Sequence, residues 1–371
     1  MKVGIVTFWW TKNNYGQVLQ CFALQAFLKK NNLNSCLIRI IPKEHFGFWS
    51  FLKYCRRKFL GIQPKQNPYE WKNQAERGFE KFLKKNISMT DEIYTFANQL
   101  RNIDFGVKAF VCGSDVIWNH YNGKEGRKIY FLNFAPKQCK RISYAASFGT
   151  TRLHFDFAFF AKRYLKKFDS VSVRETVGVE LCKSLGRKDA VVTCDPTLLL
   201  TQEDYLQFIQ KRKKKRTLFL YFLGWETEFD GNDVLKIKNY AAQHDLAFRT
   251  VESAYSLNSF NFDSDENLTP AEWLSAVVSS EVVLTNSFHG IVFCLIFHKN
   301  FICLPLKGRN YEMNSRMFNL LQKVDLMERV YHKEKSFECM LNASVDWEKV
   351  DAILEEWRTY SANWLKNALE K

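Results

Sequence analysis

An α/β fold in two domains, each built on a parallel sheet, is what this sequence predicts. Three observations lead there. Short apolar runs alternate with longer stretches of helical spacing along almost the whole chain. Its 371 residues exceed what one ordinary core organises. Several short polar motifs stand just after apolar runs, where open α/β sheets hold ligands.

Val3, Ile5, Val6 and Phe8 mark a first buried strand. Residues 16–30 have helical spacing, with Val18, Leu19, Phe22, Ala26 and Leu28 on or near one face. Asn31 and Asn32 end it, and 36–41 returns as a strand. This is a βαβ unit of the nucleotide-binding kind. In place of a G-x-G-x-x-G loop stands Lys12-Asn13-Asn14-Tyr15-Gly16. Asn13, Asn14 and Gly16 at a helix start either offer donors to an anion or form a plain Asn cap.

Residues 42–100 differ, being rich in aromatic and basic side chains such as Phe48, Trp49, Phe51, Lys53, Tyr54, Arg56 and Arg57. The pattern predicts a partly helical insertion that either meets a membrane interface or packs on the domain. Strand-like segments recur at 109–112, 142–145, 170–173 and 190–193, with helical patterns at 155–167 and 175–185. That alternation argues a parallel sheet covered on both faces.

A second α/β set follows Pro196, with strands at 218–223, 247–251, 282–284 and 301–304. Helices are expected at 232–244, 270–279 and 291–297. The helix at 270–279 has Thr269 as N-cap, Pro270 at its first position and Glu272 at its third. The boundary falls near 195–216. It divides the chain into an N-terminal domain over 1–200, with the 42–100 insertion, and a C-terminal domain over 201–345. A last helical pattern, 346–371, packs back on the first domain.

No apolar run is long enough to span a bilayer, and the chain opens directly on a strand, so a cytoplasmic location is expected. None of the ten cysteines forms a C-x-x-C pair. Most sit in apolar runs, as with Cys112, Cys194 and Cys294, and are expected to be reduced and buried. The net charge of +15 implies anionic company. It is scattered, except for the run 211–216, a solvated linker or helix end. No common nucleic-acid motif is present, so nucleic acid is not the expected partner.

The motifs appear in a fixed order: Asn13-Asn14-Tyr15-Gly16, then Gly113-Ser114-Asp115-Val116-Ile117-Trp118-Asn119, then Tyr144-Ala145-Ala146-Ser147-Phe148-Gly149. Ser172-Val173-Arg174-Glu175, Asp195-Pro196-Thr197-Leu198-Leu199, Thr285-Asn286-Ser287-Phe288-His289-Gly290 and Asn314-Ser315-Arg316 follow. A His at a strand-to-helix turn lies beside the N–H groups that open the helix, where an anion is held and a proton moved. Otherwise such a His caps the helix and is buried at an interface.

This ordered set resembles the polysaccharide pyruvyl transferase family over nearly the whole chain. The resemblance implies a GT-B-like architecture: two Rossmann-like domains whose parallel sheets face across a cleft. It implies transfer of the enolpyruvyl unit of phosphoenolpyruvate onto a sugar of a cell-surface polysaccharide, often while lipid-linked, closing a pyruvate ketal. Partners would be phosphoenolpyruvate, a sugar acceptor and, peripherally, the inner membrane face. No metal or other cofactor is called for. The donor's carboxylate and phosphate need fixed cations or helix N-termini, the reacting hydroxyl and methylene need a base and an acid, and the departing phosphate needs preorganised donors.

By resemblance His289 contacts the donor and moves a proton, with Asn286, Ser287 and Gly290 around it. Arg174 binds the donor's carboxylate or phosphate, or else pairs with Glu175 or Asp195. Arg316 is a second cation or a surface residue. Asp115 is the candidate base, unless it is an N-cap. Gly113, Ser114 and Asn119 face the acceptor, and Asn13, Asn14 and Gly16 complete that side. One position departs from the family: Ser287 stands where characterised members often have an Arg, two residues before the His. A bidentate phosphate clamp is missing there. Arg174, Arg316 or Lys307 takes its place, or the donor differs. A GT-B glycosyltransferase using a nucleotide sugar is the alternative, with Glu226, Glu228 and Asp230 within reach. A non-catalytic glycan-binding protein is a third reading.

Overall fold

Every ladder between neighbouring strands is parallel. The computed structural model describes residues 1–10, 14–43, 77–210, 216–223, 227–251 and 267–370. The first sheet comprises β1 (Lys2–Val6), β2 (Asn34–Leu37), β3 (Ala109–Cys112), β4 (Lys140–Ala146), β5 (Ser170–Val173) and β6 (Val191–Val192). Their order is β2-β1-β3-β4-β5-β6. The second holds β7 (Thr217–Tyr221), β8 (Ala247–Thr250), β9 (Val282–Thr285) and β10 (Asn300–Cys303), in the order β10-β9-β7-β8. Each order reverses once, between β1 and β3 and between β7 and β9. Open sheets bind ligands beyond the carboxyl ends of the strands at such reversals.

The helix Tyr15–Lys30 is buried on nearly every face. The reason is its position: it packs between the first sheet and the helices Pro270–Ser279 and Phe288–Ile296 of the second domain. One apolar cluster therefore runs from Val3 and Ile5 through Tyr15 and Phe22 to Tyr221, Trp273 and Phe293. Tyr15 stacks on Trp273 with ring centroids 5.2 Å apart, and its hydroxyl donates to the Leu268 carbonyl at 2.7 Å. Farther along the interface, Thr176 donates from its N–H (2.8 Å) and Oγ1 (2.6 Å) to Asn319 Oδ1. The N–H of Thr151 donates to Glu312 at 3.1 Å.

The last helix, Trp347–Glu370, lies against the first domain. Cys194 N–H donates to Ser361 Oγ (2.9 Å), Lys140 Nζ to the Leu369 carbonyl (2.7 Å), and Arg358 Nε to the Leu198 carbonyl (2.8 Å). The helix at 270–279 is capped as its sequence predicts: Thr269 Oγ1 accepts from Glu272 N–H at 3.2 Å, and Glu272 reaches back to the Thr269 N–H at 3.0 Å.

Several boundaries differ from the pattern. The helix expected over 291–297 starts at Phe288, because Ser287 caps it. β2 ends at Leu37; beyond it Ile38 N–H still donates to the Ile5 carbonyl of β1 at 2.9 Å, and Ile40 forms an isolated bridge with Tyr94. Within the expected insertion, residues 77–100 hold the helices Phe79–Asn86 and Ala97–Leu100, whereas 44–76 lie outside the described residues. So do 211–215 of the basic run and Cys55; Arg216 pairs with Glu281 at 2.7 Å. Cys36 is half-buried and Cys339 exposed, contrary to the expectation of buried cysteines. Among the described residues no helix is long and apolar enough to cross a membrane.

Candidate functional site

The segment after β9 is fixed residue by residue. Thr285 Oγ1 donates to the Tyr221 carbonyl (2.6 Å) and accepts from Ser287 N–H (3.0 Å), which turns the chain sharply. Asn286 Oδ1 accepts from Leu223 N–H at 2.7 Å, tying the turn to the end of β7. Ser287 Oγ accepts from Gly290 N–H at 3.2 Å as N-cap. Gly290 is required because a Cβ there would lie 2.5 Å from Thr285 Oγ1. Asn286 and Ser287, expected at the donor, thus spend one polar atom each on the turn.

This turn delivers His289 to a buried cluster of charge. His289 Nε2 lies 3.6 Å from Asp195 Oδ2, beyond hydrogen-bond length, and is buried with no hydrogen-bond partner. Arg174, at the end of β5, donates from Nη1 to Asp195 Oδ2 (3.0 Å) and from Nε to Glu175 Oε1 (3.1 Å). Its Nη2 is 4.0 Å from Asp115 Oδ1, too long for a hydrogen bond, and is left without a partner. The guanidinium sits over the Phe288 ring, 4.3 Å from its centroid. Both ion pairs that were alternatives for Arg174 are therefore made, and one N–H edge remains.

Burial disfavours ionisation of Asp195, yet its carboxyl is held far below the usual range by His289, by Arg174 and by Thr197. The last contributes its hydroxyl at 2.7 Å and its N–H at 3.1 Å. Burial also works against the charge of Arg174, but Glu175, Asp195 and Asp115 outweigh it and raise its pKa. Arg316 is not the surface residue its position allowed. It is buried, its Nε donates to the Met313 carbonyl at 3.1 Å, and no other hydrogen bond is made to it among the described residues. Burial, then the like charge of Arg174, push its pKa down to about 10. Two guanidinium groups thus lie near one another with N–H groups unpaired.

The remaining expected residues divide. Asp115 is not an N-cap: it adopts φ +72, its Oδ1 accepts from Val116 N–H at 2.8 Å, and it faces Arg174. Ser114 Oγ is 2.8 Å from Asp195 Oδ2 and 2.9 Å from the Ala145 carbonyl, so its single proton serves one at a time. Gly113 has φ +112, and a Cβ would meet the Tyr144 carbonyl at 2.3 Å. Asn119 is a structural cap, accepting from Tyr121 N–H (3.0 Å) and donating to the Phe148 carbonyl (2.9 Å). Asn14 likewise caps its helix, Oδ1 accepting from Gln17 N–H at 3.3 Å. No anion has room on Gly16, because the His289 ring covers it. Asn13 lies outside the described residues. Lys307 is exposed. Asp230 caps the helix Gly231–Gln243 and pairs with Lys333 at 2.9 Å, while Glu226 is outside the described residues.

Sequence reasoning gave Asp195 no role of its own, although it joins Arg174, Ser114 and His289. Its position before Pro196 at the end of a strand-like run was the available signal. It also missed Gln20, whose Oε1 accepts from Ser114 N–H (3.2 Å) while its Nε2 donates to Thr7 Oγ1 (2.9 Å). No sequence signal distinguishes that Gln from others on its helix. Among the described residues no three His, Cys, Asp or Glu side chains come together as metal ligands would.

The overall architecture matches that of GT-B-like proteins. A candidate UDP-N-acetylglucosamine 2-epimerase from Listeria monocytogenes superposes with a TM-score of 0.52 at 11% identity, over 100% of this chain and 95% of that one. UGT89C1 of Arabidopsis thaliana does so with a TM-score of 0.50 at 7% identity, over 99% of each chain. At such identities the likeness is one of fold. No curated protein matches the chain significantly in sequence. The family model for polysaccharide pyruvyl transferases matches residues 14–308, from the cap of the first helix past the His289 turn, and the chain belongs to that family.

Proposed function

We propose that the protein transfers the pyruvyl group of phosphoenolpyruvate to a sugar of a cell-surface polysaccharide or its lipid-linked precursor, forming a cyclic ketal. The observation that carries this reading is the pair of buried guanidinium groups: Arg174, whose Nη2 has no partner and whose Asp195 partner lies 3.6 Å from His289, and Arg316, hydrogen-bonded among the described residues only to the Met313 carbonyl. Arg174 is already paired with Asp195 and Glu175, whereas Arg316 makes no ion pair among the described residues, and a buried cation so placed calls for an anionic ligand. A small dianion with a carboxylate and a phosphate supplies that charge, and guanidinium forks bind both groups well.

The chemistry follows. One sugar hydroxyl oxygen adds to C2 of the enol while C3 gains a proton and becomes a methyl. A second hydroxyl of the same sugar then takes the place of the phosphate on C2. Of the two hydroxyl protons, one balances that gained at C3 and the other leaves with phosphate. His289 is placed to carry a proton, its Nε2 without a hydrogen-bond partner and 3.6 Å from Asp195 Oδ2. Asp115, whose carboxylate stands 4.0 Å from Arg174 and is not hydrogen-bonded to it, would accept one from the sugar. Arg174 and Arg316 would hold the donor and stabilise the departing phosphate. Arg316 in particular supplies the cation missing at Ser287, because Ser287 is occupied as a cap and Lys307 is exposed. The reaction calls for no metal or nicotinamide.

A lipid-linked acceptor would bring the protein to a membrane. The helix Phe155–Leu165 exposes Phe155 (90%) and Phe159 (71%) on one face, with Lys162, Arg163 and Lys166 exposed beside them. Aromatic rings flanked by cations fit an anionic lipid surface. The aromatic segment around Trp49 lies outside the described residues.

Release of inorganic phosphate from phosphoenolpyruvate in the presence of methyl glycosides tests the reading. Glycoside-stimulated release is expected from the native protein and is lost in His289→Ala with the fold intact. Equal release by that variant would contradict it.

A further inference from the structure

Beside Arg174 opens a cavity of about 370 Å³ that none of the expected site residues except Arg174 lines. Its walls are the helix Asn314–Lys323 and the middle of the last helix, Trp347–Glu370. Arg316, Asn319 and Lys323 recur at helical spacing, so one helix face runs from the cationic cluster into this cavity. From the opposite wall come Glu356, Trp357 and Tyr360.

The wall chemistry is specific. Asn319 Oδ1 is taken by Thr176, which leaves both N–H bonds of its amide without a partner among the described residues. The indole of Trp357 is half-buried against the core, with Lys323 Nζ 5.9 Å from its centroid. Lys323, Glu356, the Trp357 indole N–H and the Tyr360 hydroxyl make no hydrogen bond among the described residues. The cavity therefore offers two aromatic rings and a surround of free donors and acceptors of both signs. Ligand sites of this volume are ordinarily built in that way, an apolar platform with a few convergent polar groups. A neutral sugar ring is the ligand such a wall fits: its C–H face covers an aromatic ring and its hydroxyls meet mixed donors and acceptors. Arg174 and Lys323 stand against Glu356, so the wall carries both signs of charge, and an apolar ligand would leave its polar groups unpaired.

We infer that this cavity is a saccharide subsite, in which a hexose ring stacks on Trp357, hydrogen-bonded by Asn319, Lys323 and Glu356, with its reacting edge toward Arg174. The assignment deepens the proposed pyruvyl transfer and rests on it. It moves the acceptor from the Gly113–Asn119 side to the last helix, and gives that helix a part in substrate recognition.

Ligand-observed saturation-transfer NMR on the full chain tests it, with methyl glycosides of common hexoses and N-acetylhexosamines and, separately, uridine diphosphate. At least one glycoside is expected to receive saturation mainly on its C–H face. Trp357→Ala should weaken that binding about tenfold, Trp357→Phe much less. The exposed Lys323→Ala should weaken it several-fold without touching the core. Binding of phosphoenolpyruvate, titrated on the same variants, should be unchanged. Glycoside binding undiminished in both Trp357→Ala and Lys323→Ala overturns the assignment. So does the absence of any glycoside signal, or loss of uridine diphosphate binding alone in the Trp357 variant. If glycosides bind here but phosphoenolpyruvate does not bind at all, the subsite stands and the transfer reaction falls.

Discussion

Gly16 lies flat against the imidazole of His289: a Cβ at position 16 would fall 2.0 Å from Nδ1 and 2.3 Å from Cγ. The two residues open helices in different domains. The side chain proposed to carry protons is thus positioned by the backbone of the opposite domain. Gly16→Ala should push the ring away from Asp195. A cost of about 1–3 kcal/mol in stability is expected from the overlap. A turnover loss on the order of a hundredfold should come with it, because small misplacements of reacting groups are expensive. Thermal melts and initial rates measure the two, and a normal rate would show that His289 needs no such support.

Asp195 should give a characteristic stability profile against pH. Its folded pKa is depressed, so its contribution is complete above its unfolded pKa, about 3.9, and is lost only as pH falls toward the much lower folded value. Asp195→Asn leaves Arg174 with one carboxylate partner fewer in a buried site. It should cost about 3–5 kcal/mol by denaturant titration at neutral pH. The deficit should be flat from about pH 5 to 8 and shrink only in stronger acid. A deficit already gone near pH 5 would mean an ordinary, weakly coupled carboxylate.

Arg316 has the opposite sign. A base whose folded pKa is lowered, here to about 10, makes its charged form costly in the folded state. That cost is present at neutral pH and is relieved only as pH rises through the folded value. A bound anion relieves it without a change of pH. Inorganic phosphate should therefore raise the melting temperature of the native protein by RT ln(1 + [L]/Kd) in free energy. Arg316→Gln should melt no lower than the native protein without ligand and should gain little from phosphate. Equal phosphate stabilisation of both would remove Arg316 from the anion site.

How far the sequence disclosed this arrangement depends on the range of the interactions. The alternation of strands and helices, the capped helix at 270–279 and the turn after β9 rest on local patterns and were legible. The family followed from the ordered motifs. The cap at Asn14 was one of two readings of its motif and is made, but the roles of Tyr15 and Gly16 were not legible, because they are met by distant residues: Tyr15 by Trp273 and Gly16 by His289. The burial of Arg316 and the company of Asp195 are likewise products of the domain interface, on which periodicity is silent. Asn119 and Asn286 were expected at substrates and are largely taken up by backbone. Side chains of that kind serve caps and turns as readily as ligands.

Tyr15 couples the domains. Tyr15→Phe removes the donor to the Leu268 carbonyl and should cost about 1–3 kcal/mol if water does not reach that oxygen. Tyr15→Ala also empties the space against Trp273 and Phe79 and should cost about 3–5 kcal/mol. Urea titration distinguishes them. A near-neutral Tyr15→Ala would mean that the interface does not depend on this ring.

The exposed face of the helix Phe155–Leu165 should bind lipid. Sedimentation with phosphatidylglycerol-containing vesicles is expected for the native protein, and should fall strongly in the Phe155→Ser, Phe159→Ser double variant, which removes no buried group. Equal sedimentation of the two would place membrane contact elsewhere or nowhere.

The donor decides the central claim, and calorimetric titration of the full chain with phosphoenolpyruvate, beside UDP-N-acetylglucosamine, measures it most directly. The account predicts saturable heat with phosphoenolpyruvate, much reduced in Arg316→Gln, and none with the nucleotide sugar. Saturable binding of the nucleotide sugar, with none of phosphoenolpyruvate, would contradict it and make the two arginines a diphosphate site.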